Sequence, residues 1–186
     1  MAKKKRKDEE PEVELHEIAI TGDLTDTESD ITERLLDVPV GSECLLYFNS
    51  PGGNPHSALA LTSLLLIRNL DATGIVTGEC SSAALWPFAA CRKRYVTPHS
   101  LLLFHPLKSE SEQNISHMEA AEWARYLGEL EEDMDRMLSD LLGLSYEKLV
   151  AWARPGRFVN GKEFADAGLA QMVELRDLAR MFGVRD

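Results

Sequence analysis

The segment Cys44-Leu45-Leu46-Tyr47-Phe48-Asn49 constrains the fold more than any other in the chain. Its apolar side chains run without a break, so neither face of an extended strand is left for water. Strands of that kind belong to a parallel sheet covered by helices on both faces. The flanking patterns agree. Glu14 to Ile20 carries Leu15, Ile18 and Ile20 and predicts a first strand, followed by a Gly22-Asp23 turn. Asp26 to Asp37 places Ile31, Leu35 and Leu36 at helical spacing, with Thr27 or Asp26 as its cap, before Pro39 and Gly41 break it. His56 to Asn69 reads as a helix, Ala72 to Thr77 as a strand and Ser82 to Cys91 as a helix interrupted by Pro87. Arg94 to Thr97 and Ser100 to Phe104 are two further strands. Strand and helix in alternation give an α/β class with crossover connections.

A polar loop from Lys108 to about Ser116 leads into a long amphipathic helix, His117 to Leu142, ended by Gly143. Ser145 caps a shorter helix reaching Ala153. Arg157-Phe158-Val159 is extended, Asn160 is placed to cap a helix from Gly161 to Ala167, and Gly168 ends it. Leu169 to Leu175 is the last apolar segment. The expected organisation is a charged tail over 1–13, one domain over 14–175 and a C-terminal tail over 176–186. In the first tail Lys3-Lys4-Lys5-Arg6-Lys7 is followed at once by Asp8-Glu9-Glu10-Pro11-Glu12, a pattern read as disordered. No apolar stretch follows the basic residues, so a secretory signal is not expected.

A net charge of -11 argues against a general nucleic-acid or anionic-membrane binder. No apolar run reaches the roughly 18 residues of a membrane span. Cys44, Cys80 and Cys91 have no zinc-like spacing and form no disulfide framework, which points to a reducing, cytoplasmic setting. The five histidines include no His-x-x-x-His pair, so neither a metal nor a cofactor is expected.

Three segments carry chemistry, each at the end of a strand-like run. Phe48-Asn49-Ser50-Pro51-Gly52-Gly53 offers unobstructed backbone amides that can hold a developing oxyanion, or it is a plain strand-to-helix turn. Ser82, within Gly78-Glu79-Cys80-Ser81-Ser82-Ala83-Ala84, is a hydroxyl at a strand-to-helix junction, where Ser81 or Ser82 could equally be a helix cap. His105 closes Leu101-Leu102-Leu103-Phe104-His105-Pro106 and is either a core histidine or a base at the carboxyl edge of the sheet. His56 follows the glycine pair and could line a cleft.

In this order the three segments resemble the Clp protease proteolytic subunit family, a branch of the crotonase-like fold. The resemblance runs from about Ile18 to Val173. It includes the Lys93 to Ser100 link and the ending Arg157-Phe158-Val159-Asn160-Gly161 through Gly168-Leu169. It implies a ClpP-like α/β fold of repeated ββα units with a protruding long helix. It implies that Ser82 is the nucleophile, that His105 is the general base and that the Gly53 and Ala83 amides form the oxyanion hole. It also implies homo- or hetero-oligomeric rings that pair through the long helix, polypeptide substrates and an ATP-driven AAA+ unfoldase as partner. The chain departs from the family pattern at three places. Gly156, preceded by Pro155, stands where the family has the aspartate of its triad. Cys80-Ser81-Ser82-Ala83-Ala84 replaces the usual Ala-Ala-Ser-Met-Gly, and Pro106-Leu107-Lys108 lacks the usual Gln-Pro and glycine pair. Asp166 is too far along to replace the aspartate, whereas Asn160 or a backbone carbonyl could orient His105.

The sequence therefore carries a first reading as a Clp-type serine endopeptidase and a second as a weak or inactive homologue serving as a ring or scaffold subunit. A third, an acyl-CoA enzyme of crotonase type, lacks a well-placed carboxylate and a basic CoA patch.

Overall fold

The computed structural model describes residues 15–108, 114–174 and 176–177. The expected tail over 1–13 and nearly all of that over 176–186 lie outside them, as does much of the polar loop before Ser116.

The main sheet is parallel throughout. Strands β1 (His16–Asp23), β2 (Glu43–Gly52), β3 (Asp71–Cys80), β4 (Lys93–Val96) and β7 (Gln171–Met172) stand in the order β1-β2-β3-β4-β7. The interior strand β2 keeps Cys44, Leu45, Leu46 and Phe48 buried, as an uninterrupted apolar run requires. Helices α1 (Leu24–Asp37) and α2 (Pro55–Ile67) make the crossovers on either side of it. Parallel neighbours need such crossovers, because a tight hairpin can join only antiparallel strands.

The long β3 runs on past this sheet. At its far end Glu79 pairs with Leu101 of β5 (Leu101–Phe104), and β5 pairs antiparallel with β6 (Arg157–Asn160). A second, smaller sheet thus branches from the carboxyl end of the first. It sets the end of β5 beside the turn that follows β3. Phe104, the last residue of β5, is buried and meets Trp152 edge-on at 5.3 Å. Trp152 belongs to α5 (Tyr146–Ala153), which follows α4 (His117–Leu142). Helix α6 (Gly161–Asp166) closes the chain onto β7.

Two helix starts differ in how they follow from the sequence. For α4, Ser116 and Glu119 form a reciprocal capping box and Gly143 ends the helix at φ +70°, so both ends are written in side chains. For α1, the cap is Asp23, whose carboxylate accepts from the Thr25 amide at 2.8 Å, and neither Thr27 nor Asp26. Helix α1 starts earlier because Leu24 is fully buried in the core. No turn separates it from β1, so Gly22-Asp23 closes the strand instead. The Thr25 hydroxyl and amide hold the Asp23 carboxyl below its ordinary range.

Along α4 the character changes. Met118, Trp123 and Tyr126 in its first half are exposed, whereas Met134, Leu138 and Leu142 in its second half are buried. The first half projects beyond the core, and the second covers the carboxyl end of the sheets. Among the described residues no helix is long and apolar enough to cross a membrane.

Candidate active site

The carboxyl end of β2 is pinned first. The buried Ser50 hydroxyl donates to the Gly22 carbonyl at 2.6 Å, and the Ser50 carbonyl accepts from the Ser81 amide at 3.0 Å. Gly52 then passes so close to the next turn that a Cβ on it would lie 2.6 Å from Ser82 Cβ and 2.9 Å from the Ala83 nitrogen. Its φ of +106° also calls for glycine. Gly53 is wedged on its other side against the start of α1, where a Cβ would lie 2.3 Å from Asp23 Oδ1.

Ser82 opens a short 3₁₀ turn, Ser82–Ala84, between β3 and α3 (Leu85–Ala89). The expected single helix from Ser82 to Cys91 is therefore two pieces. Ser81 holds the cap position, with no hydrogen bond from its side chain. Ser82 has φ +53°, a left-handed conformation that a non-glycine residue adopts at a cost of about 1–3 kcal/mol. The flanking Ser81, Ala83 and Ala84 are buried, and their packing offsets that cost. A serine on a strained strand-to-helix turn presents its Oγ outward at the top of a sheet.

His105 leaves the end of β5 half-buried, with its Nδ1 2.6 Å from the Pro106 carbonyl oxygen. A carbonyl can only accept, so Nδ1 carries a proton, and in the neutral ring this leaves Nε2 as the acceptor. Gly156 adjoins this residue: a Cβ there would lie 3.4 Å from His105 Cβ. The position lies beside the histidine, but glycine supplies no carboxylate. Asn160 is engaged elsewhere, accepting the Glu163 amide at 2.9 Å as the cap of α6. Asp166 pairs with Lys162 on the exposed face of that helix. Of the two groups considered for orienting His105, the backbone carbonyl is the one in contact with it.

Gly53, Ser82, Ala83 and His105 all line one cavity of about 200 Å³. Among the described residues no hydrogen bond joins the Ser82 hydroxyl to the His105 ring. Hydrogen bonds of that kind are commonly long in an unliganded site and tighten with substrate. His56 stacks instead on Tyr126 of α4, its Nε2 3.2 Å from the phenol oxygen.

The far wall of the cavity holds residues that the sequence reading overlooked. Glu131 and Asp135 of α4 line it beside Met134 and Leu138. Arg154 Nη2 lies 3.2 Å from Glu131 Oε2 and 3.0 Å from Asp135 Oδ2. Burial pushes the Asp135 carboxyl up, and Arg154 opposes it. Glu131 Oε1 accepts the Leu107 amide at 2.8 Å. The signal was present in the sequence: Glu131, Asp135 and Ser139 recur every fourth residue beside Met134, Leu138 and Leu142, on the buried face of the helix.

Cys80, two residues before Ser82, is no rival nucleophile. Its thiol is wholly buried, and burial pushes it well above its ordinary range. Among the described residues no group of histidine, cysteine and carboxylate side chains is arranged to hold a metal ion.

A family model described as Clp protease matches residues 14–176. The chain belongs to the Clp protease family. A relative named ATP-dependent Clp protease proteolytic subunit 3, from Parasynechococcus marenigrum, is 31% identical over 131 residues, covering 69% of this chain and 64% of the relative. An ATP-dependent Clp protease proteolytic subunit from Bacteroides fragilis is 26% identical over 141 residues, covering 75% of this chain and 67% of the relative. The chain thus spans a little under two thirds of the length of the first of these relatives. The fold is also that of a solved structure, a mutant ClpP1 from Listeria monocytogenes, with a TM-score of 0.76 at 19% identity over 87% of this chain and 93% of the other. The crotonase-like, ClpP-like α/β fold expected from the sequence is therefore the fold of this Clp family member.

Proposed function

We propose that the chain is a serine endopeptidase subunit of the Clp type, with Ser82 as nucleophile, His105 as general base and the Gly53 and Ala83 amides as the oxyanion hole. The observation that carries this reading is the histidine's environment: Nδ1 is fixed by a carbonyl, so Nε2 is left as a base in the cavity that Ser82 lines. In the proposed reaction His105 Nε2 takes the hydroxyl proton as Ser82 Oγ bonds to a peptide carbonyl carbon. The carbonyl oxygen becomes an oxyanion facing the two amides. Collapse breaks the C–N bond, and the imidazolium returns its proton to the departing amine. Water then attacks the acyl-serine, again losing its proton to Nε2, and the acid is released as Ser82 is regenerated.

Family membership supports polypeptides as substrates, rings of this subunit alone or with a related one, and an ATP-driven AAA+ unfoldase that supplies unfolded chains. It also supports one catalytic domain over 14–175 between two tails, working in the cytoplasm. The test is labelling by a fluorophosphonate. Wild-type protein is expected to label and Ser82→Ala not to. A folded wild type that stays unlabelled across the pH range sinks the reading.

One observation favours a second reading. Gly156 adjoins His105 without a carboxylate, so this position supplies no acid to stabilise the imidazolium. A weak or inactive subunit that fills a ring beside an active one fits that arrangement. Native mass spectrometry with and without an active Clp subunit separates the two, since a scaffold subunit is expected to enter mixed rings without itself labelling.

A further inference from the structure

We infer that Glu131 is a positioning residue for His105, acting through a single peptide group in place of the missing aspartate. The inference rests on the reading of His105 as the base. The Pro106 carbonyl and the Leu107 amide are the two ends of one peptide unit. Its oxygen holds His105 Nδ1 at 2.6 Å, and its N–H is held by Glu131 Oε1 at 2.8 Å. The other oxygen of Glu131 is tied to Arg154 at 3.2 Å, and Arg154 is also tied to Asp135 at 3.0 Å.

Two consequences follow. The plane of the peptide is fixed at both ends, so the carbonyl stays aimed at Nδ1 although Pro106 and Leu107 lie in no strand or helix. A carboxylate drawing on the N–H also polarises the amide and makes its oxygen a better acceptor, because linked hydrogen bonds strengthen one another. Negative charge thus reaches the imidazole through an amide. A side chain at 156 would instead need φ near +130°, a conformation that L-residues avoid.

The test is made on the full-length protein with two readouts. The first is the tautomer of His105, read from its ring ¹⁵N resonances. The second is the rate at which a fluorophosphonate labels Ser82. Wild type is expected to hold the Nδ1–H form. Glu131→Ala is expected to show a mixture of both tautomers and labelling slower by about tenfold, within the range that small misplacements in an active site cost. Glu131→Gln keeps an acceptor for the Leu107 amide, so it should largely restore the tautomer and label at an intermediate rate. Should Glu131→Ala fail to fold, Glu131→Asp carries the test, since it keeps the charge and shortens the reach to Leu107. Wild-type tautomer and wild-type labelling in Glu131→Ala, or in Glu131→Asp where that variant is needed, overturn the inference and leave the peptidase reading intact. A tautomer shift in a protein whose wild type never labels supports the clamp and removes the peptidase reading.

Discussion

The two sides of the cavity are built by different means. On the serine side the parts are locked by close backbone packing: Gly52 against Ser82, Gly53 against Asp23, and Ser50 bridging to Gly22 and Ser81. On the histidine side the glycine beside His105 is packed less tightly, its Cβ position 3.4 Å from His105 Cβ. His105 follows a strand of four residues, its orienting group is the next carbonyl in the chain, and an open glycine stands beside it. The serine turn and the glycine strand beside it are thus held rigidly, while the histidine is held by a single backbone contact.

The comparison breaks most readily at Gly52. Gly52→Ala forces a positive φ on an L-residue and drives a methyl to within 2.6 Å of Ser82 Cβ. The expected loss is about 2–5 kcal/mol, with Ser82 labelling falling as well. Urea unfolding checks it, and an unchanged midpoint would mean that the serine side is looser than its contacts imply. Next comes Gly156→Asp, the change that restores the family's acid in name. There is room for a Cβ, but at φ +130° the backbone costs about 1–3 kcal/mol. The expected result is a lower Tm with no large gain in labelling. A large gain would show that the histidine side lacks only the carboxylate.

The smallest effect is a pH dependence. Burial raises the folded pKa of Asp135 above its ordinary 3.8. The folded state therefore holds that proton more tightly than the unfolded state. This contribution to stability is fully present below 3.8 and is lost as pH rises through the folded value. Asp135→Asn removes the titration, so its urea midpoint should change less with pH over that interval than the wild type's. Parallel curves for the two proteins would show that Arg154 compensates the buried charge completely.

Most of the fold could be read in the sequence because its signals are local. The apolar run of β2 and the Ser116, Glu119 and Gly143 signals of α4 each settle an element within a few residues. The start of α1 could not be read so, since the burial of Leu24 outweighs the local preference for Thr27 or Asp26 as a cap. The motifs brought Ser82, His105, Gly53 and Ala83 to notice, and all four line one cavity. The sequence offered a backbone carbonyl only as one candidate beside Asn160, and could not say which carbonyl holds the histidine. A backbone carbonyl has no letter, and the Leu107 amide of the same peptide meets Glu131, 24 residues on, through a contact that only the packing of α4 creates.

Cys44, Cys80 and Cys91 sit in β2, at the end of β3 and just after α3, all buried and all unpaired. Burial holds the Cys44 thiol at about 11 and raises Cys91 further. To an alkylating reagent the native protein is therefore nearly silent. Three built-in reporters stand in different elements of the fold, and each becomes reactive only when its own strand or turn opens to solvent. The order in which they are modified would record how this molecule comes apart, with no probe added.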